Sequence, residues 1–416
     1  LSGSWLLFTG LVGAWLAAVF TIPKIKKIDA KLGMMTYPDF LRNRFGKKVA
    51  LAAAVISGID YLGFTGGQIL AGAKLAAGTV FSEITILNPL TFSLVVMAGI
   101  IIFYTVLGGL KAVIFTDTIQ WILLLGGLFF FGVPFAFMKI GGWQSITTKL
   151  PSEFLTLTNV EPVTLVNWSL TIIPIWFIAM TLYQRIFACK DEKDAKRAFY
   201  VAGVLEYPIM AFLGVALGMM GRIVFPAVDP EMAMPMLLKT VLPIGVTGIV
   251  ISAYFSAIMS TADSCLIASS GNWVNDIIER YFIKNTTKEQ SIRISQIATL
   301  VIGVLAVLIA SAFENVLEII LHAYAFMVAG LFIPTLGAYF WKRSTPTAAL
   351  VSMFGGGGLT LYLIFFKKSF FGDLFPSLVK QGSPLLKLDP SVFGIILSFI
   401  LFVSISLISG RNKNNV

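Results

Sequence analysis

Long apolar stretches separated by short polar loops dominate the chain. Each stretch has about the length that a helix needs to cross roughly 30 Å of hydrocarbon at about 1.5 Å per residue. A hairpin at Gly108-Gly109 is expected between the third and fourth stretches. The pattern therefore predicts eleven membrane-spanning helices, at residues 4–23, 49–80, 90–108, 111–138, 166–188, 197–225, 244–278, 292–312, 315–341, 346–367 and 391–409.

Composition agrees with a polytopic membrane protein. The chain is 57% hydrophobic and only 12% charged, which excludes a soluble globular domain. Of the 31 Lys and Arg residues, 22 fall in loops on the side that contains the 24–48 loop. The positive-inside rule places that loop and the C-terminus in the cytoplasm and Leu1 outside, so we expect a multi-pass protein of the cell membrane.

One apolar stretch, residues 245–279, carries a hydroxyl-rich face and an acid. At about 100° per residue, one helix face presents the oxygens of Ala257, Ser260, Thr261 and Ser264. Asp263 flanks this face, and a bare carboxylate in the bilayer costs roughly 2.5 to 3.5 kcal/mol, so it needs a partner. Hydroxyl and carbonyl oxygens are hard ligands that suit a small cation. The alternative is that Ser and Thr only allow close helix packing.

Four segments of the chain resemble the sodium/solute symporter family. They are MTYPDFLRNRFGKK at 35–48, YTVLGGLKAVIFTDTIQ at 104–120, YQRIFACKDEKDAKRAF at 183–199 and FSAIMSTADSCL at 255–266. The resemblance implies an all-α, five-plus-five inverted-repeat transporter bundle with a central ligand site. It also implies a secondary active symporter in which sodium entry drives import of a small organic solute by alternating access.

The resemblance sets expectations for the extent of the chain. Family members normally have one or two spans before the segment that begins here, including a broken first core helix. We therefore expect an N-terminally incomplete bundle of about eleven helices that does not transport by itself. Core helices 2–10 are expected in residues 1–341, and residues 342–416 are expected to form peripheral C-terminal helices and a tail.

Two sodium sites follow from the resemblance. In the shared site Ala257 supplies a carbonyl, Ser260 a carbonyl or hydroxyl and Thr261 a hydroxyl, and the absent first core helix supplies the rest. A second site, present in some relatives, would use Asp117 with Ser260, Asp263 and Ser264. Asp117 has an alternative as an interfacial cap near Lys111, and one carboxylate could instead pair with a base or be protonated.

Substrate positions follow by alignment to the same family. Pro174 is expected to break the sixth core helix, and Trp176 matches an aromatic beside the ligand in sugar carriers. The polar pocket residues of sugar carriers fall on Ser4, next to Trp5, and on Ile172, Ile175 and Glu206. A site that loses polar groups and gains an acid suits a polyhydroxylated sugar poorly.

Glu206 points to an amine-bearing solute. It could attract an amine or quaternary ammonium group, with the faces of Trp176 or Tyr324 assisting. The alternatives are a pair with Lys74 or a purely structural acid.

The only histidine, His322, lies one helical turn after Glu318 and two residues before Tyr324. This spacing allows an ion pair or a proton-sensitive contact, whereas a lone His on such a helix is commonly a packing residue.

Other functions fit the residues less well. A membrane enzyme needs a nucleophile with a base or a metal cluster, and one His with two separated Cys provides neither. A sodium-linked sensor or channel-like protein on the same fold remains the alternative to a symporter. The expected partners are sodium, a small-molecule solute and the lipid bilayer, with no nucleic acid; the sequence sets neither the solute nor the oligomeric state.

Overall fold

Helices make up almost all of the structure, a computed structural model that describes residues 1–32, 36–85, 88–283, 286–374 and 383–411. Within these ranges the side chains of 31–32, 108–117 and 410–411 are not described. No β-strand occurs in the described ranges. The all-α class predicted from the apolar pattern is confirmed.

Seventeen α-helices are numbered here in chain order over the described residues. They are α1 Trp5–Phe20, α2 Ile22–Leu32, α3 Tyr37–Phe45, α4 Lys47–Gly78, α5 Pro89–Gly127, α6 Val133–Ile140, α7 Gly142–Lys149, α8 Pro162–Ile178, α9 Met180–Ala188, α10 Glu192–Val204, α11 Phe212–Val224, α12 Pro230–Val241, α13 Ile244–Trp273, α14 Lys288–Ala312, α15 Val316–Phe340, α16 Pro346–Leu374 and α17 Pro390–Arg411.

The number of membrane spans agrees with the sequence. Among the described residues, ten helices are long and apolar enough to cross a membrane, and α8 with α9 makes an eleventh if that bent pair is one span. The loop expected at Gly108-Gly109 is wrong, because the backbone of α5 stays helical from Pro89 to Gly127, but candidate spans still lie on either side of this position, at Pro89–Leu107 and Thr118–Ile140. Glycine costs a helix only about 1 kcal/mol relative to alanine, so two glycines do not oblige it to end.

Helix α4 is the centre of the bundle. In its most apolar stretch 72% of the residues are buried, compared with 50% or less in every other candidate span of the described chain. Small residues allow this burial: a Cβ at Gly66 would lie 3.0 Å from the Ala306 carbonyl oxygen, and one at Gly67 would lie 2.9 Å from Ile320 Cγ1. Helices in lipid gain stability from such close backbone approach.

Three π-helical turns interrupt the helices of the described chain, at Leu128–Gly132, Leu205–Ala211 and Val274–Phe282. The second contains Pro208, which has no N–H to donate and would collide with the preceding turn of a regular α-helix. A wider π turn accommodates this proline and changes the direction of the side chains around it.

Helices α16 and α17 pack side by side against α15. Their close approach depends on Gly356 and Gly394, where a Cβ would overlap the Ala329 carbonyl and the Thr360 hydroxyl respectively. The division into a core at 1–341 and a peripheral part at 342–416 stays a prediction.

A short buried helix, α3, covers the side of the bundle that carries the 24–48 loop. The amphipathic segment TYPDFLRNRFG is typical of a membrane-surface helix, yet Tyr37, Phe40 and Leu41 are at most 2% exposed. Asp39 Oδ1 accepts a hydrogen bond from Arg280 Nη2 at 3.0 Å, which ties α3 to the π turn that follows α13.

A cluster of three charged side chains lies at the opposite side of the bundle. Lys74 Nζ, at the far end of α4, lies 2.7 Å from Asp229 Oδ2 and 2.6 Å from Glu231 Oε2. Glu231 also accepts hydrogen bonds from the backbone N–H groups of Val316 and Leu317, so it caps α15. Burial raises the pKa of Asp229, but hydrogen bonds from Lys74 and from the Glu231 N–H outweigh this and hold it below its ordinary value.

Glu231 is predicted to stabilise the bundle more than Asp229 does. Glu231→Ala removes the α15 cap, worth about 1 kcal/mol, together with one charged hydrogen bond of Lys74, worth about 1.5 to 3 kcal/mol. Thermal unfolding of the purified full-length protein in detergent should show a clearly lower midpoint for Glu231→Ala. The control Asp229→Asn keeps an oxygen for the Glu231 N–H and should shift the midpoint less. An equal or larger shift for the control would contradict this assignment.

Candidate functional site

A cavity of about 480 Å³ lies between α1, α4, α8, α9, α13 and α15. It contains six of the side chains that the sequence singled out, two of them aromatic, one acidic and three hydroxylic. They are Trp176, Glu206, Ser260, Thr261, Ser264 and Tyr324. The cavity therefore joins the hydroxyl face of α13 to the predicted solute residues.

The hydroxyl face converges on one backbone carbonyl. Ser260 Oγ donates to the Ala257 oxygen at 3.1 Å, and Thr261 Oγ1 donates to the same oxygen at 3.2 Å. Both hydroxyls are partly buried and can rotate to present lone pairs to the cavity. A small cation is held by several oxygens of this kind, so these three are candidate ligands for one side of its coordination shell.

Asp263 faces away from the cavity. It is 1% exposed and accepts a hydrogen bond from Thr105 Oγ1 of α5 at 2.5 Å. Ser264, one residue later and rotated by about 100°, lines the cavity instead. The structure thus separates two of the residues grouped in the second sodium site. The side chain of the third, Asp117, lies outside the described residues.

Two glycines of α1 form a notch that holds the acid and the indole. A Cβ at Gly10 would lie 2.5 Å from Glu206 Oε1, and a Cβ at Gly13 would overlap Trp176 Cδ1. The two glycines are three residues apart, so they lie on one helix face. The notch fixes the positions of Glu206 and Trp176 relative to each other.

Glu206 is half-buried on the cavity wall, within the π turn. It makes no hydrogen bond or ion pair with any described residue. The pairing with Lys74 considered from the sequence is wrong, because Lys74 binds Asp229 and Glu231 at the far end of α4. A carboxylate that faces a cavity without a protein partner is suited to a positively charged ligand group.

The helix break predicted at Pro174 lies elsewhere. Pro174 stays inside α8, and the chain leaves helical geometry at Ala179, with φ −66° and ψ 119°, where α8 and α9 bend by 41°. At the start of α9, the Tyr61 hydroxyl accepts a hydrogen bond from the Thr181 N–H at 3.1 Å. Since Pro removes only one helical bond, whereas Tyr61 satisfies a donor that a break leaves free, the break occurs beside Tyr61.

Ser4 and Trp5 lie outside the cavity. Trp5 Nε1 donates to the Leu157 oxygen at 2.8 Å, and the buried Ser4 hydroxyl has no hydrogen-bond partner in the described chain. Leu6 and Leu7 line the cavity in their place. Because each residue rotates a helix by about 100°, a short offset in alignment moves a predicted contact to another face.

His322 also lies outside the cavity, whereas Tyr324 lines it. The ring centroid of His322 lies 6.2 Å from that of Phe313, and its Nδ1 has no partner among the described residues. The ion pair with Glu318 considered from the sequence does not form. Tyr324 packs against Phe64 with ring centroids 5.1 Å apart. The structure therefore favours packing for His322 and cavity contact for Tyr324.

Sequence reasoning missed several residues of the cavity wall, among them Tyr61, Phe64, Trp121, Thr181 and Arg185. Arg185 brings a positive charge to the wall, and its Nη1 donates to the Thr181 oxygen at 3.2 Å. The YQRIF segment that contains Arg185 indicated the family but did not predict that Arg185 lines the cavity. Tyr61 had a local signal, since the neighbouring Asp60 is a second acid within an apolar span.

Comparison with known proteins identifies relatives among transporters. A high-affinity proline transporter of Bacillus subtilis is 27% identical over 377 residues, which are 87% of this chain and 77% of the relative. A sodium/proline symporter of Staphylococcus aureus is 25% identical over 376 residues, 86% of this chain and 71% of the relative. Sodium/glucose cotransporter 1 of Ovis aries is 27% identical, but the match spans 67% of this chain and 48% of that protein.

The fold is also found among solved structures. A substrate-bound, outward-open Na⁺-coupled sialic acid symporter aligns over 97% of this chain and 84% of its own, with a TM-score of 0.72 and 21% identity. This likeness confirms the five-plus-five transporter fold. The model of the sodium:solute symporter family matches residues 1–356. Because this match covers well over half of the sequence, the chain belongs to the sodium:solute symporter family.

Proposed function

We propose that the full-length protein couples sodium entry to uptake of a small amine-bearing solute, and that the central cavity holds both. Membership of the sodium:solute symporter family supports sodium as the coupling ion. One observation carries the proposal: a single cavity is lined by the hydroxyl face of α13 and by Glu206 and Trp176. The family and its relatives are transporters, so neither an enzyme nor a sodium-linked sensor or channel is favoured.

The sodium ion binds at the Ala257, Ser260 and Thr261 oxygens. Moving one charge through 100 mV releases about 2.3 kcal/mol, which corresponds to a roughly fiftyfold solute gradient. Positive charge concentrated on the 24–48 side makes that side cytoplasmic, so sodium moves toward it. One ion at this site is the proposed stoichiometry, because Asp263 faces Thr105 rather than the cavity.

The solute amine binds Glu206. The Trp176 and Tyr324 rings line the same cavity and can assist through cation–π contact. A carboxylate on the solute would meet the positive end of α9, where Ala179 and Thr181 line the cavity. The lining includes Ile172 and Ile175, which offer no hydrogen bonds to a sugar. Proline, the solute named for two relatives, has the required amine and carboxylate.

The first prediction concerns sodium. Ser260→Ala combined with Thr261→Ala should raise the half-saturating sodium concentration for uptake by about tenfold or more, since two hydroxyl ligands are lost. Uptake of radiolabelled proline and related zwitterions would be measured across a sodium series in the full-length protein. Ser270→Ala removes a hydroxyl with the same local bond, to the Ile267 oxygen, but lies outside the cavity lining and should change nothing. Unchanged sodium dependence in the double variant would refute the site.

The second prediction concerns the solute. Glu206→Gln keeps the size of the side chain and removes its charge, so the solute KM should rise about tenfold or more, by loss of a charged hydrogen bond, with sodium activation retained. The control Glu318→Gln alters an exposed acid outside the cavity and should behave as the native protein. An unchanged KM for every cationic and zwitterionic solute tested would remove Glu206 from the binding role.

The third prediction tests the α1 notch. Gly10→Ala places a methyl group against Glu206 Oε1, so it should raise the solute KM while the half-saturating sodium concentration stays near the native value. Gly214→Ala is the matched control in another membrane helix, because a Cβ there meets no atom within 4 Å. Equal effects of the two variants on solute KM would show that the notch does not position Glu206.

A further inference from the structure

We propose that Asp60 is a proton-binding site behind the wall of the central cavity, and that exchange of its proton makes transport depend on pH. Asp60 lies in the middle of α4, takes no part in the sodium and solute sites above, and is 1% exposed. Neither carboxylate oxygen has a hydrogen-bond partner among the described residues. A group of this kind, at the centre of a membrane bundle, has to be neutralised.

Several polar groups near Asp60 are bonded to other partners. The Tyr61 hydroxyl is bonded to Thr181 of α9. Just before Asp60 on α4, the Gly58 oxygen accepts a hydrogen bond from Ser269 Oγ at 2.9 Å. Ser57 Oγ accepts one from Asn272 Nδ2, also at 2.9 Å. These bonds join α4 to α9 and α13 without reaching the Asp60 carboxylate.

Three titratable side chains lie within electrostatic range of Asp60. They are Tyr61 on the same helix, Cys265 on α13 and Tyr324 on α15. Arg185 of α9 acts on Cys265 from the same region, but no base within the described residues forms an ion pair with Asp60. Since the three neighbours are neutral at ordinary pH, none of them neutralises a carboxylate.

A proton meets these constraints better than a metal ion. An ionised carboxylate out of water costs far more than a neutral carboxylic acid, and binding one proton (–COO⁻ + H⁺ to –COOH) removes that charge. Sodium or a divalent ion needs several oxygen ligands. Around Asp60 the hydroxyls of Tyr61, Ser269 and Ser57 are already bonded elsewhere, so few oxygens remain to join the carboxylate as ligands.

The cavity supplies the route for the proton. Tyr61, Cys265 and Tyr324 all line it, and each lies within electrostatic range of Asp60, so this layer of wall side chains lies near the acid. Alternating access moves such walls. A conformation in which the layer opens exposes the acid to water, where it releases its proton at neutral pH, and return to the described conformation requires a proton to be taken up again.

Infrared spectroscopy tests the proton directly and does not depend on the proposed function. The purified full-length protein should show a carbonyl band of a buried, protonated carboxylic acid that shifts in D₂O, and Asp60→Asn should remove it. Asp39→Asn is the control, because that carboxylate is paired with Arg280 at 3.0 Å and should not contribute to the band. Persistence of the full band in Asp60→Asn would overturn the proposal.

The pH dependence of uptake tests whether Asp60 exchanges its proton during transport. Sodium-driven uptake by the native protein should change at least about threefold between about pH 5.5 and 8.5, a range in which a shielded carboxylic acid titrates. Asp60→Asn should flatten the profile, and Asp60→Glu should retain a pH-dependent one. A native profile that is flat, or one that Asp60→Asn leaves unchanged, would contradict proton exchange. Loss of uptake in both variants leaves the infrared result to decide, and absence of sodium-driven uptake in the native protein would contradict the proposed function instead.

Discussion

Hydrocarbon offers no hydrogen bonds, and the polar groups of this chain are arranged around that constraint. Where a helix is interrupted, another side chain satisfies the freed donor: Tyr61 accepts from Thr181 at the start of α9. The buried Lys74 ammonium group is held by the opposite charges of Asp229 and Glu231. Polar groups left to face the cavity are therefore the ones available to a ligand.

In the proposed function, this arrangement brings ion and solute together. The α13 hydroxyls need no partner beyond the Ala257 carbonyl, and Glu206 has none within the described chain, so both can exchange protein or water contacts for ligand contacts. The Gly10 and Gly13 notch positions Glu206 and Trp176, the proposed solute residues, and α13 carries the proposed ion residues. In this proposal, binding of either ligand favours the same conformation of the cavity, which is the physical basis of coupling.

Periodicity and length were enough to predict the spans and the hydroxyl face of α13, because both depend only on local helix geometry. Features set by contacts between distant segments were not predictable. The break at Ala179 depends on Tyr61, 118 positions earlier in the sequence, and the partners of Lys74 come from the α11–α12 connection and the start of α12. Adjacent residues also face different surroundings: Asp263 accepts a hydrogen bond from Thr105, whereas Ser264 lines the cavity. Ser4 and Trp5, which were chosen by alignment, lie outside the cavity that Leu6 and Leu7 line, since an offset of two residues changes the helix face.

The most direct test of a shared cavity is the thermodynamic linkage between the two ligands. Equilibrium binding of a radiolabelled solute such as proline to the purified full-length protein would be measured at increasing sodium, and sodium binding would be measured with and without the solute. The account predicts that sodium lowers the solute Kd and that the solute lowers the sodium Kd by the same factor. Solute and sodium affinities that are independent of each other would contradict it.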